Sequence, residues 1–140
     1  MSRINWGRVL LGGLLAGLII NASEFVLNAI VFPKDWADAM RALNKSGDMT
    51  GGQVAAFNVW GFAAGAIAVW LYAAMRPRYG SGPKTAAIAG LGVWLTAYLL
   101  GSAAPIILDL FPTHIMVVSL AVGIVEVTLG AIAGAWVYRE

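Results

Sequence analysis

Four long apolar runs, at about residues 9–32, 52–75, 85–108 and 114–138, alternate with three polar stretches along this chain. Each run is about 24 residues long, enough for a helix to cross a hydrocarbon layer of about 30 Å with some tilt. The stretches between them differ in character: "PKDWADAMRALNKSGDMTG" is polar, "RPRYGSGPK" is short and basic, and "DLFPT" is shorter still. Within the first, Trp36, Met40 and Leu43 recur at helical spacing behind Asp35, a candidate N-cap. This predicts an amphipathic outer helix over about residues 35–44. Lying on the outer membrane surface and closing over the bundle as a lid are both open to it. The whole pattern predicts one domain, 1–140, of the all-α class: an integral membrane four-helix transmembrane bundle with a short extracytoplasmic amphipathic helix.

Composition narrows the class further. The chain is 60% hydrophobic and 11% charged, so a soluble fold would expose large apolar patches that a bilayer covers instead. With no cysteine, disulfides, zinc–thiolate sites and Cys-linked haem are excluded. A net charge of +2 without dense basic clusters argues against nucleic acid as a partner. The basic residues speak to topology instead. Arg3, Arg8, Arg76, Arg78, Lys84 and Arg139 fall on one side of the four spans. Lys34, Arg41 and Lys45 fall on the other, accompanied by Asp35, Asp38 and Asp48. The expectation is that both termini face the cytoplasm, with Trp6, Trp136 and Tyr138 forming an aromatic belt on that side. The first run continues through "FVLNAIVF", too long for a signal-peptide core, and reads as a span.

Small residues recur where helices can approach closely. Gly13-x-x-x-Gly17, Gly61-x-x-x-Gly65 and Gly130-x-x-x-Gly134 fit the close-approach pattern, and Ala97-x-x-x-Gly101 is a weaker form of it. Some of these faces must pack within the chain, and others are available to a second copy, so homo-oligomerisation is expected. Pro105 should bend the third span or mark where it frays.

The candidate chemistry lies on a polar stripe. Gly13, Gly17, Asn21, Glu24 and Asn28 follow one another at steps of 4, 4, 3 and 4, a single helix face. Ser119, Gly123, Glu126 and Gly130 repeat the pattern on the fourth span with steps of 4, 3 and 4. Asn58 stands in line with Gly61 and Gly65 on the second span, and Thr96 is the contribution of the third. In an up-down-up-down bundle the first and fourth helices are neighbours, so Glu24 and Glu126 are expected to approach one another, with Asn21, Asn28 and Asn58 nearby. No Lys or Arg lies deep in a span, and two ionised carboxylates in that setting would be prohibitively costly, so at least one is expected to be neutral. Two uses fit such a stripe. A neutral Glu can fix helix register through hydrogen bonds. Alternatively, an intramembrane carboxyl carries a proton or binds a cation.

Other chemistry is thin. His114 reads as a surface histidine at the outer interface, with axial ligation of haem or chlorophyll as the alternative, and Asp109 as a cap of the turn into the fourth helix. The acidic residues and the lone His lack the spacing for a metal site, and no nucleophile–base pair can be assembled at one depth. No cofactor and no enzymatic activity are therefore expected.

The stretches "INWGRVLLGGLLAG", "FPKDWADAM" and "GAIAGAW" resemble a group of small bacterial four-span membrane proteins of unknown function. The resemblance covers most of the length and implies a bacterial cytoplasmic (inner) membrane. That group tends to carry an aromatic pair where this chain has "EFVLN", so the polar stripe has no counterpart there. Together these readings lead to a small membrane protein without enzymatic activity, either a homo-oligomer or a subunit in contact with lipid and other membrane proteins. The alternative is a small proton-coupled transporter or channel using Glu24 and Glu126.

Overall fold

A computed structural model of the chain describes residues 4–139 as five helices. These are α1 (Trp6–Val31), α2 (Pro33–Ala42), α3 (Gly51–Tyr79), α4 (Pro83–Ile107) and α5 (Thr113–Val137). All but α2 are long and apolar enough to cross a membrane. Local signals explain the ends. Asn5 caps α1 by accepting from Arg8 N at 3.2 Å. Thr50 and Gln53 form a capping box at the start of α3. Gly80 and Gly82, at φ of +83° and +136°, make the turn from α3 to α4, a backbone path that side chains resist. Thr85 Oγ1 braces that turn by donating to Gly80 O at 2.8 Å.

Three expected details are different in the fold. The N-cap of α2 is Phe32, with Pro33 at the first helical position, where its fixed φ and missing N–H cost nothing. Asp35 thus sits within the first turn, where its charge meets the positive end of the helix dipole. Asp109 caps nothing on α5, whose N-cap is Pro112; it takes a φ of +50° in the turn that ends α4. Tyr138 is no part of an exposed belt. Trp6 and Trp136 are exposed, but Tyr138 is buried, with Arg76 5.3 Å from its ring centre and Asn5 N donating to its hydroxyl at 3.2 Å. That last bond also places the two ends of the chain at one end of the bundle.

α4 runs through Pro105 to Ile107, and its regular winding is interrupted earlier, by a wide π-helical turn over Trp94–Leu99. A second such turn, Val26–Val31, closes α1. The helices pack in a ring, α1 against α3 and α5, and α4 against α3 and α5. In the half holding the termini, backbones nearly touch. A Cβ on Gly12 would lie 2.5 Å from Gly134 O, and one on Gly13 would lie 2.7 Å from Ala66 Cα. Gly65 faces Gly13 and Gly17, and Gly130 faces Ala16. Between them Ala16, Ile20, Val69 and Val127 are fully buried. The half near α2 is looser. Residues 51–60 of α3 are all exposed, with Trp60 still reaching the Tyr98 ring at 5.4 Å between centres, and on α4 Ala97 is exposed and a Cβ on Gly101 would meet nothing within 4 Å.

Candidate functional site

One line of polar side chains enters the bundle from the α2 end. Trp36 of α2 donates from Nε1 to Asn28 Oδ1 at 2.7 Å. Asn28 in turn donates from Nδ2 to Glu24 Oε2 and, at 2.9 Å, to the Glu24 carbonyl. The spacing of four residues on α1 makes the Asn28–Glu24 contact possible. Glu24 and Ser23 then stand against the carboxyl of Glu126 on α5.

Glu126 is the buried end of this line, only 3% exposed. Its Oε1 accepts a hydrogen bond from the Tyr98 hydroxyl at 2.9 Å. Its Oε2 is buried and has no hydrogen-bond partner. Tyr98 comes from the π-helical turn of α4, and its ring lies on Gly123, whose missing side chain leaves the space it fills. Trp94 fastens the same turn to α5 by donating from Nε1 to Leu120 O at 2.9 Å. Turns of this kind recur at functional sites because they reorient side chains without breaking a helix.

The remaining stripe residues take other places. Asn21 donates to the Asn58 carbonyl at 3.1 Å, tying α1 to α3, and its side-chain oxygen lies over Gly61. The Asn58 side chain is exposed and bonds back to Val54 O at 2.8 Å. Thr96 is also exposed and donates to Gly92 O at 2.8 Å, so neither side chain turns toward the carboxyls. Ser119 is part-buried, with its hydroxyl unpaired. Sequence reasoning passed over Tyr98, Trp36 and Ser23. A signal for Tyr98 was present: it is a tyrosine in the middle of an apolar run, and a buried phenol needs a partner for its hydroxyl.

At the α2 end, His114 Nε2 and Asp35 Oδ1 are 3.1 Å apart, and Trp36 packs edge-on against Phe111 with ring centres 5.4 Å apart. The helix α2 is thus held to the bundle by Asn28, Phe111 and His114. Trp36→Phe keeps the ring packing and removes the bond to Asn28. We expect a stability loss of about 1 kcal/mol or less and faster amide exchange over residues 33–42, read by hydrogen–deuterium exchange. Unchanged exchange would mean that the bond does not hold α2.

Among the described residues no three His, Cys, Asp or Glu side chains come together as a metal site. The arrangement brings two carboxyls and a phenol together, with Asn28 and Trp36 linking Glu24 by hydrogen bonds to the α2 end of the bundle. Searches against protein-family models, curated proteins and solved structures gave no match to this chain.

Proposed function

We propose that this chain is a small proton-exchanging membrane protein, without enzymatic chemistry, in which Glu24 and Glu126 bind a proton taken up from the α2 side. The observation that carries this reading is Glu126, buried with Oε2 unpartnered at the end of the Trp36–Asn28–Glu24 line. A carboxyl in that position is a proton or cation site by its chemistry. The surplus of Lys and Arg at the terminal end supports a bacterial cytoplasmic membrane with both termini inside, so that α2 lies outside. Between the carboxyl pair and the termini, the Gly12–Gly134 and Gly13–Ala66 contacts close the bundle. Passage to the cytoplasm therefore requires α1 to part from α3 or α5.

The test is proton flux into liposomes containing the purified protein, beside the Glu24→Gln/Glu126→Gln double variant. Gln keeps the shape of a neutral Glu, so packing survives the change. Flux should fall at least about tenfold, equivalent to about 1.4 kcal/mol or more. Equal flux in the two proteins, or none in either with both folded, sinks the proposal.

The uncovered residues 51–60 and the open Ala97–Gly101 face favour a second reading, a homo-oligomer or a subunit of a larger assembly in which the stripe serves packing. The Tyr98–Glu126 and Asn21–Asn58 bonds would then be helix fasteners. This reading predicts stable complexes on gentle solubilisation and no flux from the chain alone.

A further inference from the structure

The two ends of the bundle differ in charge. At the α2 end three basic residues, Lys34, Arg41 and Lys45, stand among four acidic ones, Asp35, Asp38, Asp48 and Asp109. Arg41 is already paired with Asp38 at 2.8 Å. The other end holds the two termini and also the α3–α4 turn, since the Tyr72 hydroxyl accepts from Gly82 N at 3.2 Å and its ring packs on Tyr138. There each long helix brings one exposed cation: Arg8 on α1, Arg78 on α3, Lys84 on α4 and Arg139 just past α5. Among the described residues, none of these four side chains has an ion-pair or hydrogen-bond partner. Arg76 is set apart from them, held against the rings of Tyr72 and Tyr138 at 5.8 and 5.3 Å. No described acid lies at that end, and in the sequence one acid, Glu140, follows Arg139.

The kind of partner follows from what stands beside these cations. Trp6 lies two residues from Arg8, Tyr79 next to Arg78, and Trp136 three residues before Arg139, and all three rings are exposed. Trp and Tyr favour the boundary between acyl chains and headgroups. In a bilayer crossed by the four helices, cations so close to them stand at the level of the lipid phosphates. The helices form a ring, so the four charges are spread around its rim, one to a helix. A surrounding layer of headgroups meets all four at once. Four separated cations are few for a nucleic acid, whose binding grows with each phosphate neutralised.

We propose that the terminal end of the bundle binds anionic phospholipids, with negatively charged headgroups lying against Arg8, Arg78, Lys84 and Arg139. An excess of cations on one side orients a chain during insertion. The proposed contact persists afterwards and selects which lipids border the folded protein. All four side chains are exposed, so salt weakens the attraction as the screening length shrinks from about 10 Å at 0.1 M to about 3 Å at 1 M. No residue of the Trp36–Asn28–Glu24–Glu126 line takes part, so the lipid contact stands apart from proton exchange.

The test places the full chain in phosphatidylcholine bilayers with a trace of spin-labelled lipid. The probe is phosphatidylglycerol, and its match is phosphatidylcholine labelled on the same acyl carbon. Electron paramagnetic resonance reads the fraction of each probe slowed against the protein. Phosphatidylglycerol should associate at least about threefold more strongly at low salt, and the preference should nearly vanish at about 1 M salt. Arg8→Gln/Arg78→Gln/Lys84→Gln/Arg139→Gln should remove it at low salt as well. Arg8→Lys/Arg78→Lys/Arg139→Lys keeps every charge and should keep the preference, so a loss through misfolding is told apart from a loss of charge. Lys34→Gln/Arg41→Gln/Lys45→Gln, at the α2 end, should leave it unchanged. Equal association of the two probes with the unsubstituted protein overturns the proposal. So does a preference that survives the fourfold Gln substitution, follows the α2-end set, or is lost in the charge-keeping variant. Binding of a single-stranded oligonucleotide through the same four residues, without lipid preference, assigns the patch to nucleic acid and likewise overturns it.

Discussion

Gly65→Val should destabilise the bundle by at least about 3 kcal/mol, the upper part of the range for overpacking. A Cβ at Gly65 meets Gly17 N, lies 2.7 Å from Gly13 O and lies 2.8 Å from Gly17 Cα. All three are backbone atoms, so no rotamer change relieves the clash. The helices α1 and α3 must move apart, and the contacts of Gly13 with Ala66 and of Gly17 with Phe62 open with them. Small-residue contacts carry much of the association energy between membrane helices, because lipid removes the hydrophobic drive that holds soluble bundles together. Gly101→Val is the control. Nothing lies within 4 Å of a Cβ there, and the change improves helix propensity, so stability should stay within about 0.5 kcal/mol. Unfolding in mixed micelles, followed by tryptophan fluorescence, measures both. Equal effects of the two substitutions would show that the α1–α3 contact does not hold the fold. A loss of self-association on Gly101→Val alone would instead favour the oligomer.

Gly123→Ala should break the site without touching a carboxyl. The added methyl would lie 2.5 Å from Tyr98 Cδ1 and 2.9 Å from Cε1. The ring must withdraw, and its hydroxyl leaves Glu126 Oε1. Glu126 then has both oxygens buried without partners, where a lost buried hydrogen bond costs about 1–3 kcal/mol. Displacement of the ring adds to that cost, so we expect a total of about 2–4 kcal/mol. Tyr98→Phe separates the two parts, since it removes the hydroxyl and keeps the ring. Hydrogen bonds between membrane helices rarely exceed about 1.7 kcal/mol, so Tyr98→Phe should cost less than Gly123→Ala. The pair is coupled through one contact. In a Tyr98→Ala background the clash is gone, and Gly123→Ala should add little. Strict additivity of the two changes would mean that the ring is not seated on Gly123.

The four long apolar helices were legible in the sequence because length and mean apolarity, the requirements for crossing a hydrocarbon layer, sum over about 20 residues and tolerate local error. The face of α1 was legible for a related reason. Gly13, Gly17, Asn21 and Glu24 lie on the regular helix that ends at Phe25, and Asn28, in the wide turn just past it, still reaches Glu24. Gly61, Gly65 and Gly134 meet neighbouring helices as their spacing suggests, whereas Gly101, read by the same rule, meets none. A pattern of small residues says that a close approach is possible; which helix arrives is settled by the crossing of all four.

The site itself was decided in three dimensions. Tyr98 reaches Glu126 from a wide turn that sets the phase of α4 away from a regular helix, and neither a 3.6-residue period nor a residue count foresees that turn. Asn58 and Thr96 fall on plausible inner positions by spacing, yet each bonds to a carbonyl four residues back on its own helix and turns outward. Local backbone bonds compete with contacts across helices, and only the packed structure shows which one each side chain makes. The amino-acid sequence alone therefore determined the helices and the presence of two deep carboxyls. The tertiary structure decided that one carboxyl is buried with an oxygen unpartnered, because burial is a property of what the neighbouring helices cover.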